Sequence, residues 1–496
     1  MIISGRSRSR GRLPLRILLA ALTATAITGC AVGPEFTHQA KPNVSGYIPG
    51  ALPSTGGEAP QRFVQGKDLP MRWWTLFHSQ PLDAIVEQSL KSNPSLDAAE
   101  AALRVARETA AAQRGSYFPS VQAGLSSVRE RNAATLSSPL ESGNQLFSLT
   151  TAQVSVSYLP DVFGGNRRRS EALQAQSETQ GYLLQAAYLS LTANVVAAAV
   201  QEASLRGQIT AAHEIILAQR ELITLTQRLA DLGAVARAAV VAQQSALAQS
   251  ETQFPQLEKQ LAQQRDLLLA LSGRLPDQNL AESFELSGLE LPQDLPVSLP
   301  SRLVDRRPDV RAAEAQLHVA SAEVGVATAA LFPEITLSAS SGSAATLIGK
   351  LFAAGTGFWS VGADAAQTLF QGGSLLHGKR AAEADYQQAA AQYRGAVINA
   401  FQNVADTLYA LQADADADMA ASHAERAAAR QLAAARRRLG FGDISRLDLL
   451  AAEVGYQQAV ATRVQTKAAR LADTVALFQA LGGGWGNAPD GAERAP

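Results

Sequence analysis

The sequence predicts a chain of long helices interrupted by two pairs of short β segments, an all-α coiled-coil tunnel continued by a transmembrane β-barrel. Three observations predict it. Aromatic residues make up only 6% of the chain while alanine and glutamine are abundant, a balance that suits long helices with narrow interfaces better than one thick core. Two stretches, Asn166 to Leu232 and Leu375 to Leu439, contain no proline and little glycine. At about 1.5 Å per residue each makes a helix about 100 Å long, far beyond the ordinary globular helix. Finally, the chain says nearly everything twice.

The repeat begins with "NPSLDAAEAALRVA" (Asn93 to Ala106), which returns as "RPDVRAAEAQLHVA" (Arg307 to Ala320). Each belongs to a helix, expected over Leu82–Tyr117 in the first half and Arg311–Leu331 in the second. Each helix ends at Phe-Pro, in "SYFPSVQAGLSS" with Pro119 and "ALFPEITLSASS" with Pro333. Proline removes an N–H and restricts the residue before it, so the helix stops there. Then "DVFGGNRRRSEAL", with Gly164 and Gly165, faces "TLFQGGSLLHGKRAAEA", with Gly372 and Gly373. These glycine pairs mark the junctions where strand turns into long helix. "RLADLGAVARAAVVAQQ" faces "RRLGFGDISRLDLLAAE", placing turns at Gly233 and Gly442 before second helices over Ala234–Leu271 and Leu447–Leu481. Both halves read helix, strand, strand, long helix, turn, helix.

Within the first long helix, Leu183, Ala187, Val195, Ala199, Leu205, Ile209, Ile216 and Ile223 recur at spacings of three, four or seven. That pattern predicts coiled-coil packing with close approach at alanine. The β segments alternate: Val121, Ala123 and Leu125; Ala152, Val154, Val156 and Tyr158; Ile335, Leu337 and Ala339; Trp359 and Val361. Their lengths are near the ~9–11 residues of a tilted membrane strand, although the signal of any one segment is weak. A soluble hairpin covering a helix end is the alternative. Closure separates the two. Four strands cannot close a barrel that leaves no edge in lipid, eight are filled by their own side chains, and twelve leave a pore. If the strands span, three chains are expected, each giving four strands to a shared 12-stranded barrel.

The first residues read as an export signal. "MIISGRSRSRGRLPLR" is basic, "ILLAALTATAITG" is a short apolar run, and Cys30, the only cysteine, follows. The ending Ile27-Thr28-Gly29-Cys30 resembles a bacterial lipobox, so Cys30 is the expected lipidation site, carrying diacylglycerol and palmitate. Ala31 in place of an aspartate points to sorting to the outer membrane. Beyond Gly29 no apolar run of the roughly 18–20 residues that a membrane helix needs is expected. The expected organisation is a signal peptide at 1–29, a lipid-anchored extended segment at 30–80, repeats at 81–285 and 286–484, and a tail at 485–496.

Catalytic chemistry is hard to assemble. The six histidines are scattered without metal-ligand spacing, and the net charge of −1 argues against a nucleic-acid partner. "GSAATLIGKL" (Gly342 to Leu351) has P-loop-like glycines at the wrong spacing. "QADADADMA" puts Asp414 and Asp418 on one helical face, which predicts a solvated, acidic surface rather than a metal site. No enzyme, no metal and no cofactor beyond the lipid are expected. Arg228, Arg437 and Arg446 flank the two turns; helix-end charge complementarity accounts for such residues, and their place also makes them candidates for contact with a partner. Ser445 and Asp448 fit an N-cap and its N3 acid.

The lipobox, "RWWTLF", the doubled NPSL/RPDV starts, "DVFGGNRRR" and "LGFGDISRLDLLAAE" together resemble the TolC superfamily of outer membrane factors, nearest its NodT-type efflux lipoproteins. The likeness covers nearly the whole mature chain. It implies a TolC-like homotrimer in the Gram-negative outer membrane, extending into the periplasm and docking a membrane-fusion adaptor and an inner-membrane RND-type pump. It also implies that Asp448 lines a periplasmic gate as an acidic ring. A second family aspartate is replaced here by Ala451, so the expected gate carries less charge. The outer channel of a type I protein-secretion machine would use the same tube. A lipid-anchored periplasmic scaffold would need no pore.

Overall fold

The computed structural model describes residues 31–40, 42, 44, 46–50, 60–133, 135 and 144–484. The signal segment, Cys30 and the 485–496 tail lie outside them. The first half runs β1 (Arg62–Gln65), α1 (Gln80–Ser92), α2 (Pro94–Arg114), β2 (Ser120–Arg131), β3 (Leu146–Tyr158), α3 (Gly165–Asp231) and α4 (Arg237–Leu271). The second runs β4 (Asp294–Val297), α5 (Pro300–Arg306), α6 (Pro308–Ala329), β5 (Glu334–Ala345), β6 (Gly357–Ala366), α7 (Ser374–Gly440) and α8 (Arg446–Ala480).

Several elements of the first half recur in the second at constant offsets. From Pro94 to Pro308, Ser120 to Glu334 and Arg131 to Ala345 the offset is a constant 214; from Gly233 to Gly442, Arg237 to Arg446 and Leu271 to Ala480 it is 209. Both long helices have 67 residues and both return helices 35. The correspondence reaches single hydrogen bonds. Asn93, just before Pro94, donates from Nδ2 to the carbonyl of Leu271 at 2.9 Å, and Arg307, just before Pro308, donates from Nη1 to that of Ala480 at 3.0 Å. Each thereby satisfies an orphan carbonyl at the end of a 35-residue helix. The repeated "NP" and "RP" are helix-end clamps.

The sequence runs one helix across Asn93, and the structure breaks it there. Asn93 is extended, with ψ of 119°, because a residue preceding proline avoids the helical region. A parallel pair, β1 with β4, was not visible in the sequence either; it joins segments 232 residues apart.

The described residues form two compact units, one drawn from 31–38, 104–178 and 315–391, the other from 39–103, 179–314 and 392–484. The first holds a four-stranded antiparallel sheet in the order β2-β3-β5-β6. The "GSAATLIGKL" stretch finishes β5 and makes one 3-10 turn, not a strand-to-helix phosphate loop.

The second unit is helical apart from the β1–β4 pair. Its core includes Trp73 and Phe77 of "RWWTLF", which meet Phe478 near the end of α8 edge-on, with centroids 5.6 and 6.3 Å away. In α3, Val195, Ala199 and Leu205 are buried as their spacing predicts, whereas Leu183 is 45% exposed. One 18-residue window of α3 has a mean hydropathy of 1.6, enough to pass for a membrane helix by length and composition. The expectation of no such stretch is corrected to that extent. Polar residues interrupt the window, and half of it is buried inside the chain.

The acidic face expected of "QADADADMA" is also corrected. Asp418 is buried and pairs with Arg463 and with Arg470, whose Nη1 lies 3.4 Å away. Arg470 is 1% exposed and also donates to Gln61 at 3.0 Å. Buried charges persist only when paired in this way. Burial, together with the neighbouring Asp473 carboxyl, pushes Asp414 up to about 7. Between its ordinary 3.8 and about 7 the folded chain holds a proton that the unfolded chain releases. Stability therefore falls as pH rises through that window and levels off above it. Asp414→Asn is expected to flatten this slope and raise the melting temperature at pH 8 above that of the parent. Equal slopes by circular dichroism would contradict it.

Candidate functional site

The sheet has two unlike faces. Because alternate residues point to opposite sides, its register stacks Val121, Val156, Ala339 and Val361 in one row and Ala123, Val154, Ser341 and Trp359 in another on the same face. Trp359 and Val361 are 76% and 75% exposed. The opposite face carries Gln122, Ser155, Ser340 and Ser360 in one row, and Ser120, Ser157, Ser338 and Gly362 in another. The hydroxyls of Ser340 and Ser360 lie 2.8 Å apart. Strands of 12, 13, 12 and 10 residues match the length a bilayer requires. β2 and β6 are the edge strands, and every residue of β2 is exposed.

The junction residues sit where strand meets helix. Pro119 and Pro333 immediately precede β2 and β5, and Gly164, Gly165, Gly372 and Gly373 lie at the starts of α3 and α7. Gly164 has φ of 78°, and a Cβ there would fall 2.5 Å from the Cα of Ala31. The chain after Cys30 is thus seated on this junction. Val32 donates its N–H to the carbonyl of Phe163 at 3.2 Å, and Arg168 donates to that of Val32 at 3.2 Å. Phe36 stacks on His318 at 4.2 Å, and His318 Nε2 lies 2.9 Å from Glu171. No single-sequence signal marks these contacts, since the partners come from distant segments. Asp161 was missed as well: its two carboxylate oxygens accept from the N–H groups of Asn166 and Arg167, both at 2.9 Å, and so cap α3.

The turns at Gly233 and Gly442 are built alike. Gly233 donates to Ala230 and Ala234 to Leu229; Gly442 donates to Leu439 and Asp443 to Arg438. This paired 5→2 and 6→1 pattern needs a left-handed residue, supplied by glycines with φ of 71° and 76°. The next helix starts differ. Ala236 gives α4 no side-chain cap, whereas Ser445 and Asp448 form a full capping box on α8. Asp448 Oδ2 accepts from Ser445 N at 2.9 Å and from its hydroxyl at 2.7 Å. Those bonds hold the exposed Asp448 carboxyl below the usual carboxylate range, so it is ionised at neutral pH.

Arg446 is engaged within the chain. Its Nε and Nη2 donate to the two oxygens of Glu221 on α3 at 2.8 and 3.0 Å. Beneath this bidentate pair Leu450 packs on Ala218 and Leu222, while Leu449 packs on Leu432 and Ala435 of α7. Arg228 and Arg437 lie exposed in the last turns of α3 and α7. Among the described residues no three His, Cys, Asp or Glu converge as metal ligands.

The model of the outer membrane efflux protein family matches this chain twice, over residues 85–274 and 299–483. The chain belongs to the outer membrane efflux protein family. Two relatives run along nearly its whole length, both from Pseudomonas putida. The toluene efflux pump outer membrane protein TtgC is 28% identical over 475 residues, which covers 95% of this chain and 96% of that protein. The pyoverdine export outer membrane protein OpmQ is 30% identical over 446 residues, covering 88% and 93%. Among solved structures, the outer-membrane channel OprN superposes with a TM-score of 0.78 at 28% identity, covering 92% of this chain and all of that one. This outer membrane efflux protein therefore has a TolC-like channel fold in an outer-membrane setting, in a family of ducts rather than enzymes.

Proposed function

We propose that this outer membrane efflux protein is the exit duct of a tripartite RND-type pump, a passive conduit for small organic molecules. Three chains join their four-stranded sheets into a twelve-stranded barrel, and the paired long helices of the duplicated halves continue it as a periplasmic tunnel. The observation that carries this reading is the sheet. In the rows through Val121 and Ala123 one face is mainly apolar, in the rows through Ser120 and Gln122 the other carries serine and glutamine, and both edges are open. A sheet edge in lipid is intolerable, so the barrel must close on other copies. The names of TtgC and OpmQ, a toluene pump component and a pyoverdine exporter, support organic cargo.

The turns at Gly233 and Gly442 are then the periplasmic tips, where Arg228 and Arg437 face the membrane-fusion adaptor and three copies of Asp448 form the acidic ring of the gate. In planar bilayers the purified protein is expected to give a small, stable, cation-favouring conductance. Asp448→Asn keeps an oxygen for the Ser445 N–H but removes the charge, and it is expected to raise conductance and weaken block by divalent cations. If both stay unchanged, Asp448 only caps its helix. Absence of any conductance, even in variants with loosened tips, would favour the periplasmic scaffold.

Cys30 is the proposed anchor. The two residues that follow it, Ala31 and Val32, rest against Gly164 and Phe163. Cys30→Ser is expected to abolish incorporation of radiolabelled palmitate; retained label would place the lipid elsewhere.

A further inference from the structure

Charge is divided sharply between the two faces of the sheet. Among the described residues of its strands, the only charged side chains on the apolar face are Arg129 and Arg131. The three carboxylates, Glu130, Glu334 and Asp364, all lie on the opposite face. Both arginines are exposed, and neither has an ion pair among the described residues. Their position is equally specific. β2 follows α2 at Ser120 and β3 leads to α3 beyond Tyr158, while Arg131 opposite Leu146 closes the far end of the hairpin. From Tyr158 to Ser148, the partner of Arg129, β3 advances ten residues. At about 3.4 Å per residue and a tilt of about 40° that is roughly 26 Å, and the apolar band of an outer-membrane barrel is about 25 Å tall. A tyrosine marks one boundary of the band, and the two arginines mark the other.

The β5–β6 turn adds a third cation at the same end. Thr150 and Ala345, opposite each other on the apolar face, are buried where this turn begins. In the next row of that face Leu125, Ala152 and Ser343 line a hollow of about 480 Å³ together with Phe352 of the turn. The turn therefore folds back over the apolar face. It carries an exposed Lys350, and its Leu347, Ile348 and Phe352 are 61%, 70% and 80% exposed. We propose that this rim binds the phosphorylated glycolipid of the outer leaflet, lipid A, with phosphate on Arg129 and Arg131 and an acyl chain over Leu125 and Phe352. The inference rests on the outer-membrane barrel reading and adds a lipid site to it. Charge complementarity names the occupant. A guanidinium offers phosphate two parallel donors, and a phosphate monoester carries about −1.5 to −2 charges at neutral pH. A zwitterionic phospholipid brings no such charge, and a second copy of the rim would set cations against cations.

Native mass spectrometry of the purified full-length protein in detergent micelles, titrated with bisphosphorylated lipid A, tests the site. The parent is expected to retain the lipid, and Arg129→Gln with Arg131→Gln to weaken it by about tenfold or more. Phe352→Ser should weaken it less. Arg129→Lys with Arg131→Lys should keep part of the affinity, because the charge remains while the fork is lost. Glu130→Gln, on the other face, should leave it unchanged. Equal affinity of the parent and the double glutamine variant would overturn the site. Equal retention of phosphatidylglycerol would overturn the assignment to lipid A, and displacement by millimolar inorganic phosphate would reduce the rim to an anion site that takes no lipid. Flotation after reconstitution separates the two failures. A parent protein that inserts but retains no lipid A sinks this inference alone, and one that does not insert sinks the barrel reading with it.

Discussion

Val154→Arg is expected to abolish insertion of the channel, while Gln153→Arg, the adjacent residue, leaves it inserted with reduced cation conductance. Val154 lies on the apolar face between Ala123 and Ser341, and Gln153 lies on the opposite face between Gly124 and Gly342. An arginine at mid-bilayer depth on the lipid face of a barrel costs about 2–4 kcal/mol per chain, and three chains multiply it. The same residue inside a wet lumen costs little but repels cations. Heat-modifiable mobility on gels and flotation with outer membranes read the first effect, and single-channel recording reads the second. Equal insertion of both variants would mean that the sheet has no lipid face, and the barrel reading would fall with it.

Arg446→Glu is expected to open the tip. The parent arginine holds Glu221 with two parallel bonds, a geometry that gives the pair direction as well as charge. The Glu221 carboxyl sits below the usual range because of this partner. An exposed pair contributes only up to about 1 kcal/mol. In the proposed trimer that becomes about 3 kcal/mol, a roughly hundredfold shift in the closed–open balance. Placing a second carboxylate opposite Glu221 adds repulsion. Recordings should therefore show longer and larger openings, and Glu221→Arg in the same chain should restore the parent trace. If the double variant stays as open as the single one, the pair is not a latch.

Much of the fold could be read from the residues because its signals are local. Proline-free length, the glycines at 233 and 442 and the Phe-Pro stops depend on their own neighbourhoods, and the elements fall within a few residues of expectation. Strand alternation was weak within each segment, and the two-faced sheet emerged only once four segments were set in register. The break at Asn93 follows from a local rule, the restriction on the residue before proline. Three other features had no local signal. The burial of Asp418 depends on Arg463 and Arg470, the pairing of Arg446 on Glu221 225 residues away, and the seating of Phe36 on a histidine in α6. An aspartate on a helix reads as solvated until its partner is known.

The buried ions of α7 and α8 give that helix pair a keyed fit. In the first half the positions corresponding to Asp414, Asp418, Arg463 and Arg470 are Leu205, Ile209, Phe254 and Leu261. Apolar teeth of this kind can shift by a helical turn and find similar neighbours. Asp418 cannot: a slip of about 5.4 Å would pull it from both arginines and strand charges in the interior, at a cost of about 3–5 kcal/mol. Sliding of α7 along α8 is thereby suppressed, and the pair travels as one rigid bar. Any movement at the turn carrying Asp448 must then come from the hinging of that bar against α3, across the contact in which Leu450 packs on Ala218 and Leu222 and Arg446 pairs with Glu221.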